Sequence, residues 1–208
     1  MQCVLSAACL LSLVACSAPG LWVFEPAGST PSQGSGAAKA DPKAYADKIW
    51  DSKVVPTVSE KAVDADALFA ALDKDAAAAA TQYGAASTSG GAPTFMVKGS
   101  GTVKELDDSD PQGPVTVQLK NGTEVRIATG PVLTGTALRD AMGITFGEFT
   151  NQIDYQNVGT ALNNKAKSEV IAKIDLKSLK GKKLAFEGAF SATSVKQALI
   201  VPTALTVS

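Results

Sequence analysis

The chain has 208 residues, with 19 Lys and Arg against 20 Asp and Glu for a net charge of −1, and it contains no histidine. Histidine is the usual proton shuttle near neutral pH and the commonest transition-metal ligand, so a Ser-His-Asp triad and a histidine metal site are excluded. The balanced charge and the 6% aromatic content argue against nucleic-acid binding, which normally requires a basic excess with interleaved aromatics. Carboxylates, lysine and tyrosine remain as catalytic groups, and no cofactor or metal site is predicted.

The N-terminus has the pattern of a lipoprotein signal. Residues 1–24 carry no charged side chain, and their apolar run ends in the sequence LVAC at residues 13–16. An apolar residue three places before a cysteine, with small residues between, is typical of a lipobox. We therefore predict a signal peptide over residues 1–15 and lipidation of Cys16. An uncleaved membrane anchor or a buried thiol is the alternative, and the missing N-terminal lysine or arginine departs from a typical signal.

The residues after Cys16 predict a tether. The stretch from Glu25 to Gly36 is rich in Gly, Ser and Pro, which favours a flexible chain. We expect residues 16–40 to form a lipid-anchored flexible tether and residues 41–208 to form a single domain. The protein is then predicted to be extracytoplasmic, at the periplasm or cell surface, and to contact the lipid bilayer through acylated Cys16.

Two helices are predicted at the start of the domain. Asp41 followed by Pro42 is typical of a helix start, and we expect that helix to end before Pro56. A second helix is expected from near Ser59 to about Tyr83. Its apolar stripe contains Val63, Leu68, Phe69 and Leu72.

The rest of the chain alternates with a period of two, interrupted by one long helix. Three strands are expected around residues 93–103, 115–119 and 125–127, with a hairpin at Asn121-Gly122 and a bend or bulge at Gly99 and Gly101. A helix follows over about residues 158–174. Two further strands are expected around residues 184–190 and 199–207, and Pro202 indicates a bulge or a sheet edge in the last one.

This order of elements predicts the fold class. A β-β-β-α-β-β order is that of a mainly β (α+β), five-stranded, OB-like Greek-key barrel with its helix between strands 3 and 4. The two N-terminal helices are then an extension that covers one face. An unrelated α+β sandwich with the same element order is the alternative.

A polar segment between the third strand and the long helix is the candidate ligand site. Its arginine offers a planar fork to a carboxylate, and its amide and phenol side chains are of the types that contact sugars or peptides. The predicted ligand-binding residues are Thr134, Thr136, Arg139, Asp140, Asn151, Gln152 and Tyr155. The alternative is that Arg139 and Asp140 only anchor an irregular connection between strands.

Two charged segments are interpreted as solvated surface. Residues 107–113 contain three aspartates but lack the ligand spacing and terminal glutamate of an EF-hand loop, so a hairpin connection is favoured over a calcium site. The lysines between residues 165 and 183 are typical of the wet side of an amphipathic helix, although they could also face anionic lipid headgroups.

Several segments resemble a known family. The sequences YADKIWDSKVVPTVSEKAVD (45–64), GPVLTGTALRDAM (130–142), FTNQIDYQNVGTALNNKA (149–166) and GKKLAFEGAF (181–190) are similar to the predicted periplasmic lipoproteins of the domain of unknown function 2291 family. The resemblance implies a lipoprotein with an OB-like barrel, often encoded beside sugar ABC transporters. It implies no established activity and no catalytic residues.

We therefore expect a non-enzymatic accessory lipoprotein that binds a small sugar ligand or components of a sugar ABC transporter, without nucleic acid. One alternative is a carboxylate-dependent hydrolase of the glycosidase type, which needs two facing carboxyl groups from among Asp140, Glu148 and Asp154. The other alternative is a purely structural adaptor of the cell envelope.

Overall fold

Five strands close into a barrel in the computed structural model, which describes residues 41–85 and 91–208. The predicted signal peptide, Cys16 and the tether lie outside the described residues, which all belong to one compact unit, Ala37–Ser208. In chain order the strands are β1 Val63–Asp64, β2 Gly84–Ala85, β3 Thr94–Leu106, β4 Pro114–Gln118, β5 Glu124–Ala128, β6 Lys183–Ser191 and β7 Leu199–Val207.

The barrel has the strand order of the OB type. Strands β3, β4, β5, β7 and β6 are neighbours in that sequence, and β6 pairs again with β3 to close the sheet. All of these pairings are antiparallel except β5 with β7, which is parallel. The predicted barrel, its Asn-Gly hairpin and its helix between the third and fourth barrel strands are confirmed.

The helices lie before β3 and between β5 and β6. They are α1 Pro42–Ile49, a π-helical turn Trp50–Val54, α2 Val55–Lys61, α3 Ala65–Lys74, α4 Ala76–Tyr83, α5 Ala137–Ala141 and α6 Gln152–Glu169. Short 3₁₀ turns occupy Phe146–Glu148, Ile171–Lys173, Leu176–Ser178 and Val195–Gln197.

The N-terminal extension is divided differently from the two helices that were predicted. Helix α1 ends at Ile49, before Pro56 as predicted, but the helical path continues through the π turn into α2. Pro56 falls in the first turn of α2, where its missing N–H needs no partner. The π turn makes the connection, with the Val55 N–H donating to the Trp50 carbonyl five residues back. The expected second helix is interrupted by β1 and by Asp75, because Asp64 and Asp75 each cap a new helix with their carboxylates.

The barrel interior is filled by the strands together with α3. Leu68, Phe69 and Leu72 of α3 are buried with the inward-facing residues of the strands. The Phe190 ring stacks on both Phe69 and Phe95, with ring centroids 5.3 Å apart in each pair. Helix α3 therefore completes the core of the barrel.

A second apolar layer covers the outer surface of the barrel. The buried faces of α1, α2, α5 and α6 pack together there and meet the outward-facing Met96, Ala189 and Val201. Because side chains alternate along a strand, one strand can contribute to both layers. Helix α6 belongs to this outer layer, and it carries part of the candidate site.

The two expected irregularities in the strands have different outcomes. The bulge at Pro202 is confirmed, since the β6–β7 register shifts between Glu187 and Gly188 opposite that residue. The bulge in β3 lies instead between Val103 and Glu105. Gly101 serves a close approach, because a Cβ there would lie 2.2 Å from the Gln118 carbonyl oxygen of β4.

Candidate functional site

A cleft of about 370 Å³ lies on the outer surface of the barrel where β5 meets β7. We call it the barrel cleft. Its walls come from the β3–β4 loop, β5, the connection from β5 to α5, the end of β6, the β6–β7 loop and β7. Its lining residues are Gln112, Arg126, Ala128, Thr134, Gly135, Thr136, Ala137, Ser191, Gln197, Leu199 and Val201.

The first wall is fixed by backbone hydrogen bonds between two loops. The Gln112 carbonyl accepts from the N–H groups of Thr129 and Gly130, and the Thr129 hydroxyl donates to the Gly113 carbonyl. A Cβ at position 130 would lie 2.4 Å from the Gln112 carbonyl carbon, so this contact requires glycine. The Gln112 side chain is thereby placed so that its amide N–H donates to the Thr134 hydroxyl across the cleft.

The opposite wall is held by α6. Asn163, which is buried, donates from its side-chain amide to the Gly135 carbonyl at 3.0 Å. Gly159 allows this approach, because a Cβ at that position would already lie 3.3 Å from the Thr136 methyl carbon. The Thr136 hydroxyl donates to the Asp140 carboxylate at 2.6 Å. The connection from β5 to α5 is therefore held in place by Asn163 and Asp140, two residues that do not themselves line the cleft.

Arg126 contributes the charge of the barrel cleft. It lies in the middle of β5, where alternation turns Val125 and Ile127 inward and Arg126 outward. Its guanidinium is half-exposed, and one terminal nitrogen lies 3.6 Å from the Asp110 carboxylate. At that distance the contact is a weak, solvent-screened ion pair.

The predicted ligand-binding pair Arg139 and Asp140 is buried and bonded internally. One Asp140 oxygen accepts from the Arg139 Nε at 2.9 Å and from a terminal nitrogen at 2.8 Å, while the other oxygen accepts from Thr136. The guanidinium also lies 4.0 Å from the centroid of the Tyr155 ring. Because the arginine fork and both aspartate oxygens are engaged, this geometry fits the anchoring alternative, and a ligand would reach the pair only by displacing it.

The remaining predicted residues do not converge on one place. Thr134 and Thr136 line the barrel cleft, and Tyr155 is buried with its hydroxyl donating to the Ile144 carbonyl. Asn151 is the N-cap of α6, where its side chain accepts from the Asp154 N–H at 2.9 Å. Gln152 is exposed on the first turn of α6. Of the predicted set, only the two threonines line the barrel cleft.

The three carboxylates of the hydrolase alternative have separate surroundings. Asp140 is paired with Arg139, and Asp154 lines a different groove. Glu148 accepts from the Tyr45 hydroxyl at 2.7 Å and from the Thr145 N–H at 3.0 Å. Burial alone would raise the pKa of Glu148, but these hydrogen bonds outweigh it and hold the pKa below its usual value. Burial and the bond to Glu148 raise the pKa of Tyr45.

A second cleft of about 690 Å³ lies between α1 and α6, and we call it the helix groove. Its charges are satisfied within the protein, since Lys165 contacts Glu169 at 3.2 Å and Asp47 at 3.4 Å. Hydrogen bonds from Lys165 and Lys173 lower the pKa of Glu169. This network is the expected behaviour of a solvated helix pair.

Over the described ranges 41–85 and 91–208, the protein has neither a membrane-spanning helix nor a metal-binding cluster. No helix there is both long enough and apolar enough to cross a bilayer. Over the same residues, no group of three or more His, Cys, Asp or Glu side chains is placed to hold a metal ion.

Sequence reasoning missed most of the barrel cleft. Gln112, Arg126, Ser191 and Gln197 come from separate segments that only barrel closure brings together. A signal for one of them was present, because Arg126 is one of only two arginines and alternates outward between two apolar residues. Asn163 and Gly159 were hidden within the expected polar face of a helix.

Comparisons with known proteins agree with this architecture. The crystal structure of an OB-fold protein from Thermotoga maritima superposes with a TM-score of 0.68, at 22% sequence identity, covering 81% of this chain and 99% of that one. No curated protein matches the sequence. Residues 11–206 match the profile of a family described as predicted periplasmic lipoproteins. With nearly its whole length matched, the chain belongs to the domain of unknown function 2291 family of predicted periplasmic lipoproteins.

Proposed function

We propose that this protein is a non-enzymatic accessory lipoprotein of a sugar ABC transport system that binds a small sugar-type ligand in the barrel cleft. The barrel cleft is the observation that carries the proposal. OB barrels bind sugars and nucleotides on the face of their second and third strands and on the loops between strands 1 and 2 and between strands 4 and 5. Here those parts are β4, β5, the β3–β4 loop and the β6–β7 loop, and three of them line the cleft.

The chemistry of the lining supports a sugar. Amide and hydroxyl groups of Gln112, Thr134, Ser191 and Gln197 offer donors and acceptors, and Leu199 and Val201 supply an apolar floor. The lining is more polar than that of a typical, largely apolar ligand site, which suits a sugar with its many hydroxyl groups. The association with a sugar transporter rests on the family resemblance, in which such lipoproteins are often encoded beside sugar ABC transporters.

The absence of turnover is part of the proposal. Asp154 lines the helix groove, whereas neither Asp140 nor Glu148 does. Asp140 is bonded to Arg139 and Thr136, and Glu148 is bonded to Tyr45 and Thr145, which supports the absence of the facing carboxyl pair that a glycosidase requires. The carboxylate of Asp140 also forms an ion pair with Arg139. These positions support binding rather than hydrolysis.

The test is a thermal-shift and calorimetric screen of the mature, detergent-solubilised chain against pentoses, hexoses and sugar acids. Thr134→Trp should fill the barrel cleft and abolish binding. Thr160→Trp places the same substitution on an exposed position of the helix groove and should leave binding unchanged. Binding that is lost only with Thr160→Trp would contradict the barrel cleft, and ligand hydrolysis detected by chromatography would contradict the non-enzymatic role.

A docking role is the second candidate. Phe146 and Ile153 are large apolar side chains that stay 49% and 70% exposed near the start of α6. A contiguous exposed apolar patch often marks a protein contact, and these two side chains are only seven residues apart in the chain. Under this alternative, Ile153→Asp would abolish co-purification with the transporter permease from membranes, whereas Thr134→Trp would not.

A further inference from the structure

We propose that the ligand of the barrel cleft is a carboxylated monosaccharide, such as a uronic acid, and that Arg126 is the residue that binds its carboxylate. The inference rests on the proposed function, since it names the class of ligand for the same cleft. It adds a residue and a charge that the polar lining alone does not specify.

The barrel cleft carries one positive charge. Among the described residues that line it, Arg126 is the charged one, and the others are amides, hydroxyls, glycine or apolar side chains. A neutral sugar needs only amide, hydroxyl and apolar groups. A guanidinium at the wall of a concave site selects an anion, because it offers N–H donors in a fork that matches a carboxylate.

The guanidinium of Arg126 is available to a ligand. Its ion pair with Asp110 is long, at 3.6 Å, and involves one terminal nitrogen. Among the described residues the Arg126 guanidinium makes no hydrogen bond within 3.5 Å, and its charge also acts on Asp107, whose pKa it helps to lower. A bidentate carboxylate at ordinary hydrogen-bond distance would therefore replace a poor contact with a good one.

The carboxylates near Arg126, those of Asp107 and Asp110, accept hydrogen bonds within the β3–β4 loop. One Asp110 oxygen accepts from the Gln112 N–H at 2.8 Å, and one Asp107 oxygen accepts from the Ser109 hydroxyl and from two backbone N–H groups. The Ser109 hydrogen bond is the main reason that the pKa of Asp107 is lowered. These aspartates shape the β3–β4 loop, and their contacts explain their presence without a ligand.

The backbone of Arg126 is rigid, and the barrel cleft is small. The backbone of Arg126 is paired on both sides, with Thr116 of β4 and Leu199 of β7. The position of its Cα atom, from which the side chain extends, is therefore fixed. A volume of about 370 Å³ is at the small end of ligand sites, which suits a monosaccharide. Thr134 accepts from Gln112, the Ser191 hydroxyl is bonded to that of Thr94, and the Gln197 side-chain oxygen accepts from Thr193. The Thr134 hydroxyl proton and the Gln197 amide N–H are the groups that could donate to the hydroxyl groups of the sugar.

The test is isothermal titration calorimetry on the full mature lipoprotein in detergent micelles. The probes are glucuronate and galacturonate, the neutral sugars glucose and galactose, and glucose 6-phosphate. The acids should bind at least about tenfold more tightly than the neutral sugars with the same ring. Arg126→Gln should weaken acid binding by roughly 10- to 100-fold, the range expected for a charged hydrogen bond, and leave the neutral sugars unchanged.

Two further variants separate a fork from a general charge effect. Arg126→Lys restores the charge but not the planar fork, so it should recover only part of the acid affinity. Lys48→Gln removes one positive charge from an exposed position on α1 and should leave acid binding unchanged.

The outcomes distinguish the proposed sugar site from the assignment of a carboxylated ligand to Arg126. If neutral sugars bind as tightly as the acids, or if Arg126→Gln leaves acid affinity intact, the inference is wrong and the proposed sugar site stands. A preference for glucose 6-phosphate that depends on Arg126 would overturn the carboxylate in favour of a phosphate. If none of the probes binds, the proposed ligand-binding function fails together with the inference.

Discussion

The buried ion pair between Arg139 and Asp140 tests whether these residues stabilise the fold or bind a ligand. Asp140→Ala removes both acceptor oxygens and leaves Arg139, a residue that is only 5% exposed, with an unpaired charge. Breaking one partner of a buried pair costs about 3–5 kcal/mol, because the remaining charge is desolvated without compensation. For a domain of this size each kcal/mol lowers Tm by roughly 2–4 °C, so we expect a fall of roughly 6–20 °C.

The double variant Arg139→Met, Asp140→Leu sharpens the test. Replacing a whole buried pair with apolar residues of similar volume is often neutral or stabilising, so the double variant should be more stable than Asp140→Ala alone. Urea unfolding followed by circular dichroism would measure the free energies, with equal m-values as the check that the variants unfold alike. A cost below about 1 kcal/mol for Asp140→Ala would refute the anchoring role. Intact stability with lost sugar binding would instead assign the pair to a ligand.

Three further predictions address the anchor, the barrel and the α1 contact. Cys16→Ser should move the protein from the detergent phase to the aqueous phase in a cloud-point partition, because the acylation site is lost. Gly101→Ala should lower the unfolding free energy by about 1–3 kcal/mol, since its Cβ would press on a β4 carbonyl oxygen. Gly147→Ala, whose Cβ would make only an ordinary contact of 3.9 Å with the Thr145 hydroxyl oxygen, should be nearly neutral in the same urea titration. The lowered pKa of Glu148 means that its contribution to stability is complete above its usual pKa of 4.5 and is lost as the pH falls through the folded-state value. The wild type should therefore lose more Tm than Glu148→Gln between about pH 5 and about pH 3, and equal losses would contradict the role of the Thr145 and Tyr45 hydrogen bonds to the Glu148 carboxylate.

The five barrel strands were predictable because each carries its own local signal. Val115 and Val117 alternate into the core, Asn121-Gly122 forms the hairpin, and Pro202 marks the bulge. These signals involve residues a few positions apart, so they survive without knowledge of the tertiary structure. The same locality explains the fold class, since the order of the elements restricts the topology that can close a small barrel.

The helix boundaries show where local signals compete. Asp64 and Asp75 are both N-caps, but each lies within a run of helix-forming residues, and propensity over the longer window predicted one continuous helix. Val63 was assigned to the apolar stripe of that helix, and it instead pairs with Val97 of β3. The pairing is tertiary, so nothing within the segment itself could have indicated it.

The candidate site was only partly predictable for a related reason. The segment around Thr134 and Thr136 is recognisable by its polar and glycine content, but Arg126 has the pattern of any outward residue on a strand. The contacts that make it part of a cleft come from Gln112 and Gln197, which lie in other loops. An argument from composition therefore favoured Arg139, whose fork the fold uses internally.

Helices α3 and α6 have different positions in the fold, and this difference explains how the cleft wall is held. The barrel interior is filled by α3, whose Phe69 stacks on Phe190, while α6 packs on the outer surface. Because α6 is not needed inside the barrel, Gly159 and Asn163 on its inner face can hold the cleft wall at residues 133–136. The wall is then set before any ligand arrives, which lowers the ordering cost of binding. The N-terminal extension thus contributes to the proposed site without touching it, by supplying the core residues that leave α6 free to support the cleft.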